Sequence, residues 1–199
     1  MCEPAPSAMT PLKKTAYTPE IASLIIDRLP ELGPGSPNNL LRSQLAALTV
    51  EKAFAGQLVA DRDAARCCLS ALWLWHDFLD ESHQISQEID SLDGSYWHGI
   101  MHRREPDYGN AKYWFRRVPQ HAVLEPLVAA AREQSKHTQL DEPAAFLATE
   151  KSWDAFWFVD LCEAIARGRS RCEPLAREIA RIEWQLLFDH CYRQALGTL

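Results

Sequence analysis

Five of the seven histidines, His76, His83, His98, His102 and His121, fall within 46 residues of one another. Imidazole changes charge near neutral pH and is the commonest metal ligand, so this concentration points to acid–base or metal chemistry. His98 and His102 stand at i and i+4, where two rings on one helix face reach the same ion. This HxxxH lacks the glutamate in second position that gives a zincin its built-in general base. Upstream, His76, Asp80, His83 and Gln87 follow spacings of 4, 3 and 4 and would share one face of a helix. The Asp80/His83 pair has the i, i+3 spacing of carboxylate-and-histidine sites in helical bundles. His76, Asp80, His83, His98 and His102 therefore form a candidate site for Zn, Mn or non-haem Fe. Two competing readings are a solvated polar face over 76–87 and histidines hydrogen-bonded in the core.

Six aromatic residues (Tyr96, Trp97, Tyr108, Tyr113, Trp114, Phe115) lie within 20 residues of the same region, as the walls of a ligand pocket would. Arg103, Arg104, Lys112, Arg116 and Arg117 stand there against only Glu105 and Asp107. Residues 76–93, in contrast, hold six acids and no lysine or arginine. Either the two segments neutralise each other across a packed interface, or some arginines are spared to grip a carboxylate or phosphate. In the second case Arg103, Arg104, Tyr108, Asn110 and Tyr113 orient a small anionic substrate. Asp160, set among Trp157, Phe158, Val159 and Leu161, is expected to be buried and to need a partner such as Arg103 or a metal. Glu183 and His190 read as ion-pairing or capping residues. No GxSxG elbow and no Gly-rich phosphate loop occurs, which removes the common hydrolase and NTPase readings.

The elements that must position these groups read as helices throughout. Asp61 is a candidate N-cap for a long helix over 62–90, with Cys68, Leu72, Trp75 and Leu79 as its apolar stripe. A helix over 95–104 ends at Pro106, and Asp107 caps another over 108–117. Pro19 opens a short helix before Pro30, and further helices are expected near 122–134, 142–148, 152–167 and 172–195. No alternating strand pattern appears. The expected fold is an all-α single-domain helical bundle (19–199) around one long central helix, preceded by a mobile tail over 1–18.

With 199 residues, 47% hydrophobic and 24% charged, the composition is that of an ordinary globular chain. A net charge of −6 opposes a nucleic-acid binder, no apolar run spans a membrane, and no secretory signal is read. The six cysteines form no CxxC and are expected to be reduced, core-filling thiols in a cytoplasmic protein.

The run YWHGIMHRREPDYGNAKYWFRR, residues 96–117, resembles a family of uncharacterised soluble proteins of bacteria and fungi. Residues 74–90, 152–163 and 183–195 are similar to its other marked segments. That family has no established activity, so the resemblance implies a shared fold over roughly 60–196 and no mechanism. Two functional expectations remain. One is a metal-dependent enzyme acting on a small anionic substrate; the other is a non-catalytic binding or scaffold protein with a buried His/Arg/acid network.

Overall fold

The computed structural model describes residues 16–199, and among them the fold is all-α, with eleven α-helices and no strand. They are α1 (Pro19–Leu24), α2 (Arg42–Ala46), α3 (Val50–Ala53), α4 (Arg62–Trp75), α5 (Leu79–Ser86) and α6 (Leu92–Arg104). Then follow α7 (Tyr108–Arg116), α8 (Leu124–Ser135), α9 (Phe146–Thr149), α10 (Ala155–Ala166) and α11 (Glu173–Ala195). None is long and apolar enough to cross a membrane. Of the expected tail, residues 1–15 with Cys2, Pro4, Pro6 and Pro11 lie outside the described residues. Its last two residues are packed: the Tyr17 hydroxyl donates to Asp189, and Thr18 N–H donates to the Tyr192 hydroxyl at 3.1 Å.

The expected long helix over 62–90 is two helices. Asp61 caps α4 as anticipated, accepting from Ala64 N–H at 2.9 Å. The helix then ends in a Schellman turn: Asp77 N–H returns to the Leu74 carbonyl at 3.1 Å, and Phe78 N–H to Trp73 at 3.0 Å. The Phe78 ring closes against Trp73, with centroids 5.1 Å apart. That turn needs a left-handed residue, and Asp77 supplies it at φ 65° where glycine is usual. Its carboxylate is held by Arg28 at 2.8 Å and Arg104 at 2.5 Å. The backbone of Gly35, itself at φ 71°, packs so closely that a Cβ there would stand 2.7 Å from Asp77 Cγ.

The core of the fold is organised around α6, which Ser91 caps by accepting from Gly94 N–H. Every residue from Asp93 to Arg104 is buried. An all-round buried helix is normally apolar, yet this one carries Asp93, His98, His102, Arg103 and Arg104 inside. Each needs a partner there, because an unpaired buried charge is very costly. The 23-residue α11 packs against α4, α8 and α10. Trp184 of α11 packs at a tilt against Trp75 of α4, centroids 4.4 Å apart, and meets Trp97 of α6 edge-on at 6.3 Å, joining the three helices. Cys67, Cys68, Cys162, Cys172 and Cys191 are free, buried thiols.

Candidate metal centre

α5 and α6 pack side by side, and the chain turns sharply after α6, with Asp107 N–H returning to the His102 carbonyl at 3.0 Å. Asp107 then caps α7 by accepting from Asn110 N–H at 3.2 Å. These turns bring His83 of α5, His98 and His102 of α6, and Asn110 and Trp114 of α7 to one place. One nitrogen from each of the three imidazoles lies within 4.8 Å of the other two. His98 Nε2 and His102 Nε2 are 2.9 Å apart. His98 is sandwiched on Trp114, centroids 3.9 Å apart and 15° from parallel, and the Arg117 guanidinium lies over that indole.

The hydrogen bonds set the protonation of the rings. His102 Nδ1 lies 3.0 Å from Glu105 Oε2, an acceptor only when ionised, so its proton sits on Nδ1 and Nε2 presents a lone pair. A carboxylate behind an imidazole in this way is the usual outer support of a metal-ligating histidine. Two donors compete for that lone pair: His98 Nε2–H, and the Asn110 amide at 3.1 Å. If His98 donates from Nε2, its Nδ1 is unprotonated; that atom is buried and makes no well-formed hydrogen bond, although the Ser86 backbone is close enough to favour a proton on the ring. Burial, reinforced by the neighbouring His102 and His83, pushes His98 down to about 3. Burial also lowers His102, against the opposing pull of Glu105. Both rings are therefore neutral near pH 7, the form that ligates metals.

Other expected residues sit elsewhere. His76 is not in the cluster: the helix break turns it away, and its Nε2 donates to the Leu24 carbonyl at 2.7 Å. Asp80 is exposed on α5. Arg103 and Arg104 are not anion ligands. Arg103 is buried against Glu183 of α11, at 2.5 and 3.3 Å, and lies over the Phe158 ring. Arg104 serves Asp77 and the carbonyls of Leu74, Gly33 and Pro34. The interface reading of the charges is realised in part: Arg104 and Arg117 pair with Asp77 and Asp90 of the acidic segment, whereas Arg103 and Lys112 pair with Glu183 and Asp160 outside it. Tyr108 packs against the core and Tyr113 is half exposed beside Trp114, while Asn110 alone of that set reaches the histidines. Asp160, expected buried, is half exposed and paired with Lys112 at 2.5 Å.

Sequence spacing puts Glu105 on the His98/His102 face, at i+7 from His98, without pairing it to His102, and counts Trp114 as a pocket wall rather than as the cover of His98. It misses a second group: His121 and His190, 69 positions apart, both approach Asp93. Comparison of the chain with family models, curated proteins and solved structures found no match.

Proposed function

We propose that the protein is a metal-dependent enzyme of hydrolytic type, with its ion held by His83, His98 and His102. The carrying observation is the convergence of three imidazoles, with His102 preset by Glu105 to offer Nε2. Three protein nitrogens and one open position are the donor set of catalytic zinc, and imidazole equally suits Fe; Mn is the third candidate. For bonds of about 2.1 Å, neighbouring donors lie about 3.0 Å apart on an octahedron and about 3.4 Å on a tetrahedron, so the 2.9 Å pair needs little rearrangement. Shifting the His98 proton to its buried Nδ1 frees Nε2 for the ion. Bound there, a divalent cation would make a coordinated water nucleophilic near neutral pH. Asn110 stands at the rim to orient a substrate, and an anionic group would be drawn by the ion itself, since Arg103 and Arg104 are committed.

A second reading is supported by the same 2.9 Å contact: a metal-free scaffold in which His98 and His102 are simply hydrogen-bonded. Elemental analysis of untagged protein separates the two. The proposal expects about one equivalent of Zn, Mn or Fe that the His98→Ala/His102→Ala pair removes and His137→Ala, on the exposed surface, retains. Metal-free protein that none of these ions stabilises in a thermal-shift assay would leave the scaffold reading.

A further inference from the structure

The first turn of α6 carries a second cluster, about 14 Å along the helix from His102 at 1.5 Å per residue. We propose that Asp93, His121 and His190 form a second divalent-metal site, of the two-histidine, one-carboxylate type, with its vacant positions facing a surface groove.

Three separate segments supply the donors: α6, the loop before α8, and α11. Both imidazoles direct Nε2 at the same carboxylate oxygen, Asp93 Oδ1, at 2.8 Å from His121 and 3.5 Å from His190. These edges bracket the donor spacings of about 3.0 and 3.4 Å expected around one ion with bonds near 2.1 Å. The His121 and His190 rings meet at 62°, with centroids 4.8 Å apart, so they close on the point from different directions.

The environment of each donor is consistent with an ion. The Asp93 side chain is only 7% exposed, and its ionic neighbours are two imidazoles, neither a permanent cation. Gln194, one turn beyond His190 on α11, gives its amide NH2 to Asp61 at 2.9 Å. Gln194 also interacts with His190, and burial holds that ring toward the neutral form that ligates metals. His121 Nε2–H donates to Asp93 while Val123 N–H approaches Nδ1 at 3.3 Å. An ion at Nε2 would require the ring proton to move to Nδ1, giving up the 3.3 Å contact from Val123 N–H and replacing the hydrogen bond to Asp93 with a shared ion.

The site is not sealed. Asp93, His121 and His190 line a groove of about 580 Å³ together with Ser91, Gln120 and Gln194. Two histidines and a carboxylate with open positions are the donor set of non-haem Fe(II) centres and, with His and Glu or Asp, of hydrolytic zinc. The ligand class is thus Zn(II), Fe(II) or Mn(II).

The test is a Co(II) titration of metal-free protein, read by visible absorption and by competition with Zn(II). If both sites bind, wild type takes two ions, His190→Ala keeps one, and the His98→Ala/His102→Ala pair keeps the other. Loss of a donor should weaken the Asp93 site roughly tenfold or more. Asp93→Asn is the companion variant; should it fail to fold, the partly exposed His190 still provides the measurement. One ion lost with His190→Ala but kept by the His98/His102 pair would uphold this site and sink the other. Stoichiometry and affinity unchanged within about twofold in His190→Ala overturns the proposal.

Discussion

Arg103 and Arg104 are neighbours in sequence and serve different partners around α6, Glu183 of α11 and Asp77 of the α4–α5 turn. Arg103 shares Glu183 with the Tyr96 hydroxyl, which donates at 3.2 Å, so the carboxylate is held by three donors in a dry interior. Removing one partner of such a pair leaves a buried charge alone, a loss of about 3–5 kcal/mol, whereas replacing both with apolar groups is often neutral. Arg103→Ala should therefore lower the urea midpoint severely, and Arg103→Leu combined with Glu183→Leu should recover most of it. A single variant as stable as wild type would refute the buried pair. The same logic explains why the local surplus of positive charge over 103–117 was ambiguous in sequence: the acids that absorb it, Asp77, Asp90, Asp160 and Glu183, lie 27 to 80 positions away.

At the scale of elements, the helices over 95–104, 108–117 and 172–195 were legible because caps, prolines and a 3.6-residue apolar period all act locally. The break at 76–78 was not. Leu72, Trp75 and Leu79 continue the apolar stripe through it, and no Gly or Pro marks it. The causes are remote: Arg28, Gly35 and Arg104 hold Asp77 in the left-handed turn. Of the expected metal stripe only His83 reaches His98 and His102: the break removes His76, and Asp80 faces solvent on α5, whereas His98 and His102 keep the pairing their spacing predicted. Gly35→Ala tests this dependence. A side chain at φ 71° costs about 1–2 kcal/mol by itself, and its Cβ would collide with Asp77. Thermal unfolding should fall by several degrees; an unchanged midpoint would mean that the Gly35 loop does not hold the turn.

Across the whole molecule, buried neutral histidines couple stability to acidity. Burial holds His76, His98, His102 and His190 below the ordinary histidine range. As pH falls through about 6.5 the unfolded chain takes up these protons first, so its population is favoured. Their contribution is fully present above about 6.5 and drains away toward the value near 3 of His98. Metal-free protein should melt progressively lower from about pH 7.5 to about pH 5, and a level or rising midpoint would contradict neutral buried rings.

The same central helix also fixes what lengths of chain the fold can accept. α6 is keyed at both ends, by Asp93 to α11 and the loop before α8, and by Arg103 and Arg104 to α11 and the α4–α5 turn. One residue inserted after Gly99 would rotate everything beyond it by about 100°. Arg103 and Arg104 would lose their partners and His102 its contact with His98, while Asp93 and His98 stayed in place. Length changes should thus be tolerated beyond Ala166, where α10 gives way to an exposed turn at Gly168, and not within α6. Among related chains, insertions and deletions would be confined to such connections, leaving the spacing between Asp93 and Arg104 invariant.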